Sequence, residues 1–217
     1  MKTLPSPCPP LSGLILAGGA GRRVHGADKA WLLWQQQPVI THVLAQLLPQ
    51  VNELWISANR ELDRYNDLPG CSPERIIRDE WPDYPGPLAG IASCLGKMPT
   101  GWVLISPVDT PKLPQDLGHQ LWIGLQQAQQ DHADAGSKNG LKMAVTCQRT
   151  AAGDETTHWL HMLVHTDLCT NLRQRLAAGQ RRVRDWCQSE HAVKVFIRGE
   201  ADCFVNLNND SDYRAPH

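Results

Sequence analysis

Residues 14–29 read Leu-Ile-Leu-Ala-Gly-Gly-Ala-Gly-Arg-Arg-Val-His-Gly-Ala-Asp-Lys. An apolar run leads into three closely spaced glycines, the last of them Gly21, and basic side chains follow, including Arg22, Arg23 and Lys29. Because glycine has no Cβ, backbone N–H groups in such a loop can approach an anion closely. The arginine and lysine side chains add full positive charges that would neutralise a triphosphate. The stretch therefore predicts a buried strand that ends in a phosphate-binding loop.

This loop matches neither of the two best-known glycine-rich nucleotide motifs. A G-x-G-x-x-G motif starting at Gly19 would need glycine at Val24. It would also need an acidic residue at the end of the next strand, where the sequence reads Ser57-Ala58-Asn59. A Walker loop would need Gly-Lys followed by Ser or Thr, whereas Gly26 is followed by alanine. The glycines alone would also suit an ordinary strand-to-helix turn. The Asp-Lys pair that closes the loop favours phosphate binding.

Length and charge limit the classes of protein that the chain can represent. It has 217 residues, a formal net charge of −1 and a pI near 6.7. The length suits one α/β domain with a substantial core, and we expect a loose proline-rich tail at 1–10 and a single domain over 11–217. A nearly neutral chain lacks the uniform positive field that would attract negatively charged nucleic acids or membrane surfaces. Neither is therefore an expected partner. No apolar run approaches the ~18 residues of a membrane-spanning helix.

Cysteine usage indicates a reducing compartment. The seven cysteines are scattered and form no C-x-x-C pair, so neither a disulfide framework nor a zinc site is predicted. The four prolines between residues 5 and 10 leave no apolar core for a signal peptide. We therefore expect a cytoplasmic protein.

The first half of the chain alternates between predicted strands and predicted helices. The strands are Leu11–Leu16, Glu53–Ala58, Arg75–Arg78 and Trp102–Ser106, and the helices are Pro38–Leu48, Glu61–Asn66 and Leu88–Lys97. This alternation predicts a single doubly wound, mostly parallel sheet. Ligands of such sheets bind at the carboxyl ends of the strands. Gly18–Gly21, Asn59, Asp79 and Asp109 each follow a predicted strand, so we expect them to meet in one crevice.

The second half adds further elements around the same sheet. It contains predicted helices at Leu113–Gln129, Asp167–Ala178 and Gln180–Trp186, a final helical turn near Asn209, a polar turn at 131–140, and strands at Lys142–Cys147, Thr157–Val164, Ala192–Ile197 and Cys203–Val205. Gly179 suits the position just after a helix. The eight tryptophans are interpreted as core residues.

Three histidines invite a metal interpretation. His158, His161 and His165 have spacings that suit one face of a helix, but the apolar residues between them favour a strand. In a regular strand, His158 and His161 would point to opposite faces. No metal site is expected there.

Several separated motifs together resemble the molybdopterin nucleotidyltransferase family, whose guanylyltransferase members attach GMP to molybdopterin. The motifs are Leu16-Ala17-Gly18-Gly19 with Arg23 and Asp28-Lys29, Asp79, Tyr84-Pro85-Gly86-Pro87-Leu88-Ala89-Gly90, Asp109-Thr110-Pro111, Gly179-Gln180-Arg181-Arg182-Val183, and Phe204-Val205-Asn206-Leu207-Asn208. The resemblance runs from about residue 12 to 212 and implies a Rossmann-like fold. It divides the domain into a GTP-binding half, about 11–112, and a molybdopterin-side half, about 113–217.

The resemblance implies a reaction and a set of site residues. GTP would give its GMP group to the terminal phosphate of molybdopterin or the molybdenum cofactor, with Mg²⁺ as cofactor and pyrophosphate as the other product. Lys29, Arg23 and Asp109 would be catalytic, and Asp109 would hold the Mg²⁺. The GTP-binding residues would be Leu16, Ala17, Gly18, Gly19, Arg23, Gly26, Lys29, Asn59, Asp79 and Asp109, and the molybdopterin-binding residues would be Arg182, Asn206 and Asn208. Proteins that insert molybdenum or mature molybdoenzymes would be further partners.

The chain departs from the family pattern at several positions, which keeps alternatives open. His25 stands where the family has glycine, Trp159 follows His158 where proline is usual, and Asn209-Asp210 replaces Thr-Pro. One alternative is a cytidylyltransferase acting on molybdopterin or another phosphorylated acceptor, because a glycine loop and Asp109 would serve any nucleotide. The other is a non-catalytic nucleotide-binding module of the same fold.

Overall fold

The computed structural model describes residues 7–19, 28–81, 86–134, 140–149, 153–200 and 202–214, without the side chains of 134, 210 and 214. The strands in these segments are β1 (Leu11–Leu16), β2 (Leu33–Trp34), β3 (Gln37–Pro38), β4 (Glu53–Ser57), β5 (Ile76–Ile77), β6 (Trp102–Pro107), β7 (Met143–Arg149), β8 (Glu155–His165) and β9 (Val193–Phe196). The α-helices are α1 (Val39–Leu47), α2 (Leu62–Asn66), α3 (Pro87–Leu95), α4 (Leu117–Asp134), α5 (Cys169–Ala177), α6 (Val183–Ser189) and α7 (Asp210–Arg214). Short 3₁₀ turns cover Lys29–Trp31, Leu48–Gln50, Pro73–Arg75 and Thr166–Leu168.

Seven strands form one sheet in the order β5-β4-β1-β6-β8-β7-β9. The pairs β4–β5, β1–β4, β1–β6 and β7–β9 are parallel, whereas β8 runs antiparallel to both of its neighbours. Strand β1 lies inside the parallel part of the sheet, where Gly13 pairs with Leu54 on one side and Leu104 on the other. Its continuous apolar sequence fits this position, because a central parallel strand is covered on both faces. The predicted mostly parallel sheet is confirmed.

Helices cover both faces of the sheet, as the predicted doubly wound fold requires. Helices α1 and α4 pack with Ile15, Ile56 and Leu104 on one face. On the other face, α3, α5 and α6 pack with Leu14 and Ile105. Neighbouring residues of one strand therefore enter opposite cores, as the two-residue period of a strand dictates.

Some predicted elements differ from those observed, for local reasons. Residues 203–205 were predicted to form a strand, which is wrong: Phe204 lies in a turn with a φ of 67°. Helix α4 begins at Leu117 instead of Leu113, since the residue before Pro114 is biased away from helical geometry. The predicted turn at 131–140 is wrong for 131–134, which continue α4, and residues 135–139 lie outside the described segments.

The hairpin β2–β3 was not predicted. Its two turn residues, Gln35 and Gln36, have φ values of 49° and 65°. Such a turn normally carries Asn-Gly or Asp-Gly, so a glutamine pair gives no sequence signal. The tryptophans are also less uniform than predicted, since Trp34, Trp55, Trp122 and Trp186 are buried and the other four are only partly so.

Within the described segments, no helix combines the length and apolar character that crossing a bilayer demands.

Candidate active site

A cavity of about 370 Å³ opens at the carboxyl ends of the parallel strands. It is lined by Leu16, Ala17, Gly18, Gly19, Lys29, Ser57, Asp79, Gly86, Pro87, Gly90, Pro107, Val108, Asp109 and Leu160. The structure thus brings together the ends of β1, β4 and β6, the residue Asp79 after β5, and the beginning of α3. The positive end of the α3 dipole lies at this cavity, where it favours an anion.

Lys29 and Asp109 meet in this cavity. The Lys29 Nζ lies 3.1 Å from Asp109 Oδ2, and both side chains are 22% exposed. The same ammonium lies 3.1 Å from the backbone oxygen of Leu207 and 3.4 Å from Asn208 Oδ1. Three oxygens therefore surround the Lys29 ammonium. Two of them belong to residues that lie 178 and 179 positions away in the sequence.

The neighbouring Asp28 fixes the start of the turn that carries Lys29. Asp28 is only 5% exposed and precedes the Lys29–Trp31 turn as its N-cap. Its Oδ1 accepts a hydrogen bond from the Ala30 N–H at 3.1 Å, and its Oδ2 accepts one from the Tyr65 hydroxyl at 2.9 Å. Burial raises the pKa of Asp28, and these two hydrogen bonds oppose the rise because they stabilise the carboxylate.

At the other end of the cavity, Asn59 links three strand ends. Its Nδ2 donates to the Gly18 carbonyl at 3.0 Å and to Asp79 Oδ2 at 2.9 Å, and its Oδ1 accepts from the Asp79 N–H at 3.0 Å. Both amide protons are therefore used within the protein. Asn59 was predicted to bind GTP, and this stays a prediction; in this structure its hydrogen bonds hold Asp79 and Gly18 in place.

Asp79 faces the cavity from a partly buried position. The Ser57 hydroxyl donates to Asp79 Oδ1 at 3.3 Å. Burial raises the pKa of Asp79, and the hydrogen bonds from Asn59 and Ser57 oppose that rise. This carboxylate can accept hydrogen bonds from a ligand such as a nucleobase edge or a ribose hydroxyl.

Two glycines are required by the close packing around this end. A Cβ at Gly18 would lie 2.8 Å from Asn59 Nδ2, and one at Gly90 would lie 2.4 Å from Ser57 Oγ. Gly86, before α3, has a φ of 100°, which residues with a Cβ rarely adopt.

The segment around Asn206 and Asn208 is attached to the Asp109 loop. Thr110 Oγ1 donates to Asn206 Oδ1 at 2.7 Å, and the Leu207 N–H donates to the Asp109 carbonyl at 2.8 Å. Asp212 accepts hydrogen bonds from the N–H groups of Asn208 and Asn209. The C-terminal segment therefore lies beside Lys29, although neither Asn206 nor Asn208 lines the cavity.

Other predicted site residues are not brought to this point. Arg182 is exposed at the start of α6 and does not line the cavity. Arg23 and Gly26 lie outside the described residues. Conversely, Ser57, Leu160 and the Leu207 carbonyl were not predicted as site residues. Ser57 is the last residue of β4, so the strand-end rule that selected Asn59 would also have found it.

The predicted opposite orientation of His158 and His161 is wrong. Strand β8 bulges here: Met162 pairs with Val145, and His158 pairs with the next residue of β7, leaving residues 159–161 unpaired. The bulge places both imidazole rings 4.9 Å from the Phe204 ring and 6.0 Å from each other. Across the described part of the chain, no three His, Cys, Asp or Glu side chains gather in a way that could hold a metal ion.

Comparisons with known proteins agree on one family. Residues 13–194 match the family model described as the MobA-like NTP transferase domain. The chain is 41% identical over 207 residues to the molybdenum cofactor guanylyltransferase of Burkholderia cenocepacia, with 95% of each chain covered.

Solved structures share the fold. The molybdopterin-guanine dinucleotide biosynthesis protein A of Archaeoglobus fulgidus superposes with a TM-score of 0.60 at 16% identity, covering 94% of this chain and 95% of that one. The 2-C-methyl-D-erythritol 4-phosphate cytidylyltransferase of Thermus thermophilus superposes with a TM-score of 0.61 at 14% identity, covering 93% and 94%. At these identities the likeness concerns the fold alone.

Proposed function

The chain belongs to the MobA-like NTP transferase family, and from this premise we propose that it transfers GMP from GTP to the terminal phosphate of molybdopterin. The products are the molybdopterin guanine dinucleotide cofactor and pyrophosphate. One observation of the structure supports this reaction most directly: Lys29 and Asp109 meet inside a cavity at the strand ends, beside the glycines that follow β1. The substrates GTP and molybdopterin are assigned from the curated relatives at 41% identity.

The reaction sets a clear electrostatic requirement. An anionic phosphate oxygen of the acceptor attacks the α-phosphorus of GTP, and the bond from the α-phosphorus to the oxygen bridging to the β-phosphate breaks. Attacker and target are both negatively charged, so fixed positive groups must cancel their repulsion. No nucleophilic side chain is needed, because the acceptor brings its own oxygen.

Fixed positive charge surrounds the cavity. It comes from Lys29, from the backbone N–H groups of Gly18 and Gly19, and from the beginning of α3. They would hold the triphosphate and stabilise the charge that develops on the leaving pyrophosphate. Arg23 and Gly26, from the loop beyond the described residues, are proposed to complete this binding. Asp79, supported by Ser57 and Asn59, is proposed to face the guanosine.

The oxygen atoms around Lys29 are suitable ligands for a hard divalent cation, for which we propose Mg²⁺. The Asp109 carboxylate, the Leu207 carbonyl and the Asn208 amide oxygen all lie within 3.4 Å of the Lys29 Nζ. Mg²⁺ prefers oxygen ligands and takes only one or two carboxylates, with substrate phosphates and water completing its shell. Asp109 would hold it, and the ion would neutralise phosphate charge. Lys29 would then leave Asp109 and contact the triphosphate.

We propose that molybdopterin binds along the C-terminal segment beside Lys29. Asn206 and Asn208 lie there, and their amide groups suit the hydrogen-bonding edge of a pterin ring. Arg182 is proposed as a phosphate contact, although it does not line the cavity in this structure. The two-half division of the chain, the cytoplasmic location and the contacts with other proteins of molybdenum metabolism stay predictions.

A product assay tests the proposal. The protein, Mg²⁺, molybdopterin and GTP labelled at the α-phosphate should yield the labelled dinucleotide, and chelation of the metal with EDTA should abolish it. Asp109→Asn should lower the rate by about 10²-fold or more, as loss of one transition-state electrostatic group typically does. Asp167→Asn is a matched control, because that exposed carboxylate pairs with Lys142 outside the cavity.

Three outcomes would contradict the proposal or a part of it. Labelled CTP replacing GTP as the preferred donor would indicate the cytidylyltransferase alternative. Absence of product from either nucleotide, with a known guanylyltransferase active in parallel, would indicate a binding module. An unchanged rate in Asp109→Asn would remove this carboxylate from the mechanism.

A further inference from the structure

Helix α2 holds the turn that carries Lys29 through adjacent side chains. The Tyr65 hydroxyl donates to Asp28 Oδ2 at 2.9 Å, and its ring lies 4.9 Å from the Trp31 ring. The Arg64 guanidinium carbon lies 4.0 Å from the centre of the Trp31 ring, a distance typical of a cation–π contact. Both ends of the Asp28–Trp31 segment are therefore attached to α2.

The Tyr65–Asp28 contact is buried and does not touch the cavity. Tyr65 is fully buried and Asp28 is 5% exposed, and neither residue lines the cavity. Hydrogen bonds to an ionised acceptor in such surroundings are strong and geometrically demanding. The two carboxylate oxygens of Asp28 accept different hydrogen bonds. Oδ1 accepts from the Ala30 N–H, which orients the turn, and Oδ2 accepts from the Tyr65 hydroxyl.

The position of Lys29 depends on this anchoring. Its backbone follows directly after Asp28, and its ammonium reaches across the cavity to Asp109 and Leu207. A long, flexible lysine side chain finds a defined target only if its backbone is fixed.

We propose that Tyr65 is a positioning residue for the nucleotide, acting through Asp28 to set the place from which Lys29 reaches the triphosphate. This inference rests on the proposed function, since it assumes that Lys29 binds the phosphates of GTP. It assigns a role in nucleotide affinity to a residue that does not line the cavity. A purely structural tyrosine would stabilise the fold without acting through Lys29.

A double-mutant cycle separates these roles. Tyr65→Phe removes only the hydroxyl, and Lys29→Ala removes the cation; binding of GTP with Mg²⁺ is measured by calorimetry for wild type, both single variants and the double variant. Tyr65→Phe should weaken binding about fivefold in the wild-type background, the size of loss expected for one misplaced contact. In the Lys29→Ala background it should change binding less than about 1.5-fold, because residues that act through one another are not additive.

Controls keep the result specific. Asp28→Asn removes the charge of the group that accepts the Tyr65 hydrogen bond. Its effect on GTP affinity should depend on Lys29 in the same way as that of Tyr65→Phe. Val43→Ala, in α1, removes buried atoms from the same core without touching Asp28, and should leave GTP affinity unchanged in both backgrounds. Thermal unfolding of each variant verifies that it is folded under the conditions of the titration.

An equal loss of affinity from Tyr65→Phe in both backgrounds, or no loss in the wild-type background, would overturn the proposal. The proposed function fails in a different way: wild type would bind GTP with Mg²⁺ and show the Lys29-dependent cycle, yet form no dinucleotide from molybdopterin. The positioning role of Tyr65 would then be supported and the acceptor assignment rejected.

Discussion

At the scale of single residues, His161 is the most exceptional buried group. It is 2% exposed, and its Nε2 has no hydrogen-bond partner among the described residues. Burial lowers the pKa of His161 to about 3, and the neighbouring His158 adds to the effect. The free-energy cost of a charged imidazole at position 161 therefore arises only in the folded state.

This burial predicts a pH dependence of stability. The unfolded chain binds a proton on His161 near pH 6.5, whereas the folded protein does so only near pH 3. The contribution of neutral, buried His161 to the free energy of unfolding is therefore complete above pH 6.5 and is lost as the pH falls toward 3. The unfolding free energy should fall by up to about 1.4 kcal/mol per pH unit in this range. His161→Phe should remove that contribution, so that the wild-type-minus-variant difference shifts by about 2 kcal/mol between pH 7.5 and 5.0 in urea titrations.

His119→Gln is the matched control, because His119 is exposed on α4. That variant should follow the wild-type pH dependence. A His161→Phe protein with the same pH dependence as wild type would show that His161 accepts a proton in the folded state.

At the scale of elements, the position of α3 depends on the absence of a side chain at Gly90. The helix packs so closely on the end of β4 that a Cβ at Gly90 would lie 2.4 Å from Ser57 Oγ and 3.1 Å from Asp79 Oδ1. Any displacement of α3 therefore alters the wall of the cavity. The glycine serves the geometry of the site as well as the packing of the helix.

Gly90→Ala should destabilise the protein by about 1–3 kcal/mol, the usual cost of overpacking. Adding Ser57→Ala removes the closest atom and should recover part of the loss in a urea titration. Gly101→Ala should be nearly neutral, because nothing lies within 4 Å of the added Cβ. Equal losses in Gly90→Ala and Gly101→Ala would contradict the steric explanation.

Elements also show where sequence patterns lose their predictive value. Buried strands such as β1 and β6 were predicted nearly to the residue, because a continuous apolar run bounded by turn residues has few alternatives. The β8 bulge was not predictable from an alternating pattern, since it depends on how β8 pairs with β7. The same bulge reversed the expected orientation of His158 relative to His161.

At the scale of the whole molecule, the topology of the sheet assembles the site. The rule that parallel strands end at one edge was sufficient to predict that Gly18, Asp79 and Asp109 would share a crevice. It could not predict that Lys29 also contacts the Leu207 carbonyl, because backbone atoms carry no sequence signal and the two residues are 178 positions apart. The hydrogen bonds that Asn59 donates to Gly18 and Asp79 likewise could not be predicted from the sequence.

The most direct test of the central claim, that Lys29 and Asp109 form one nucleotide and metal site, is a crystal structure of the protein with GTP and Mg²⁺. The expected structure has the triphosphate in the cavity of about 370 Å³, Mg²⁺ coordinated by the Asp109 carboxylate, and Lys29 Nζ moved from Asp109 to a phosphate oxygen. A nucleotide bound elsewhere, with the Lys29–Asp109 ion pair intact and the cavity empty, would contradict the claim.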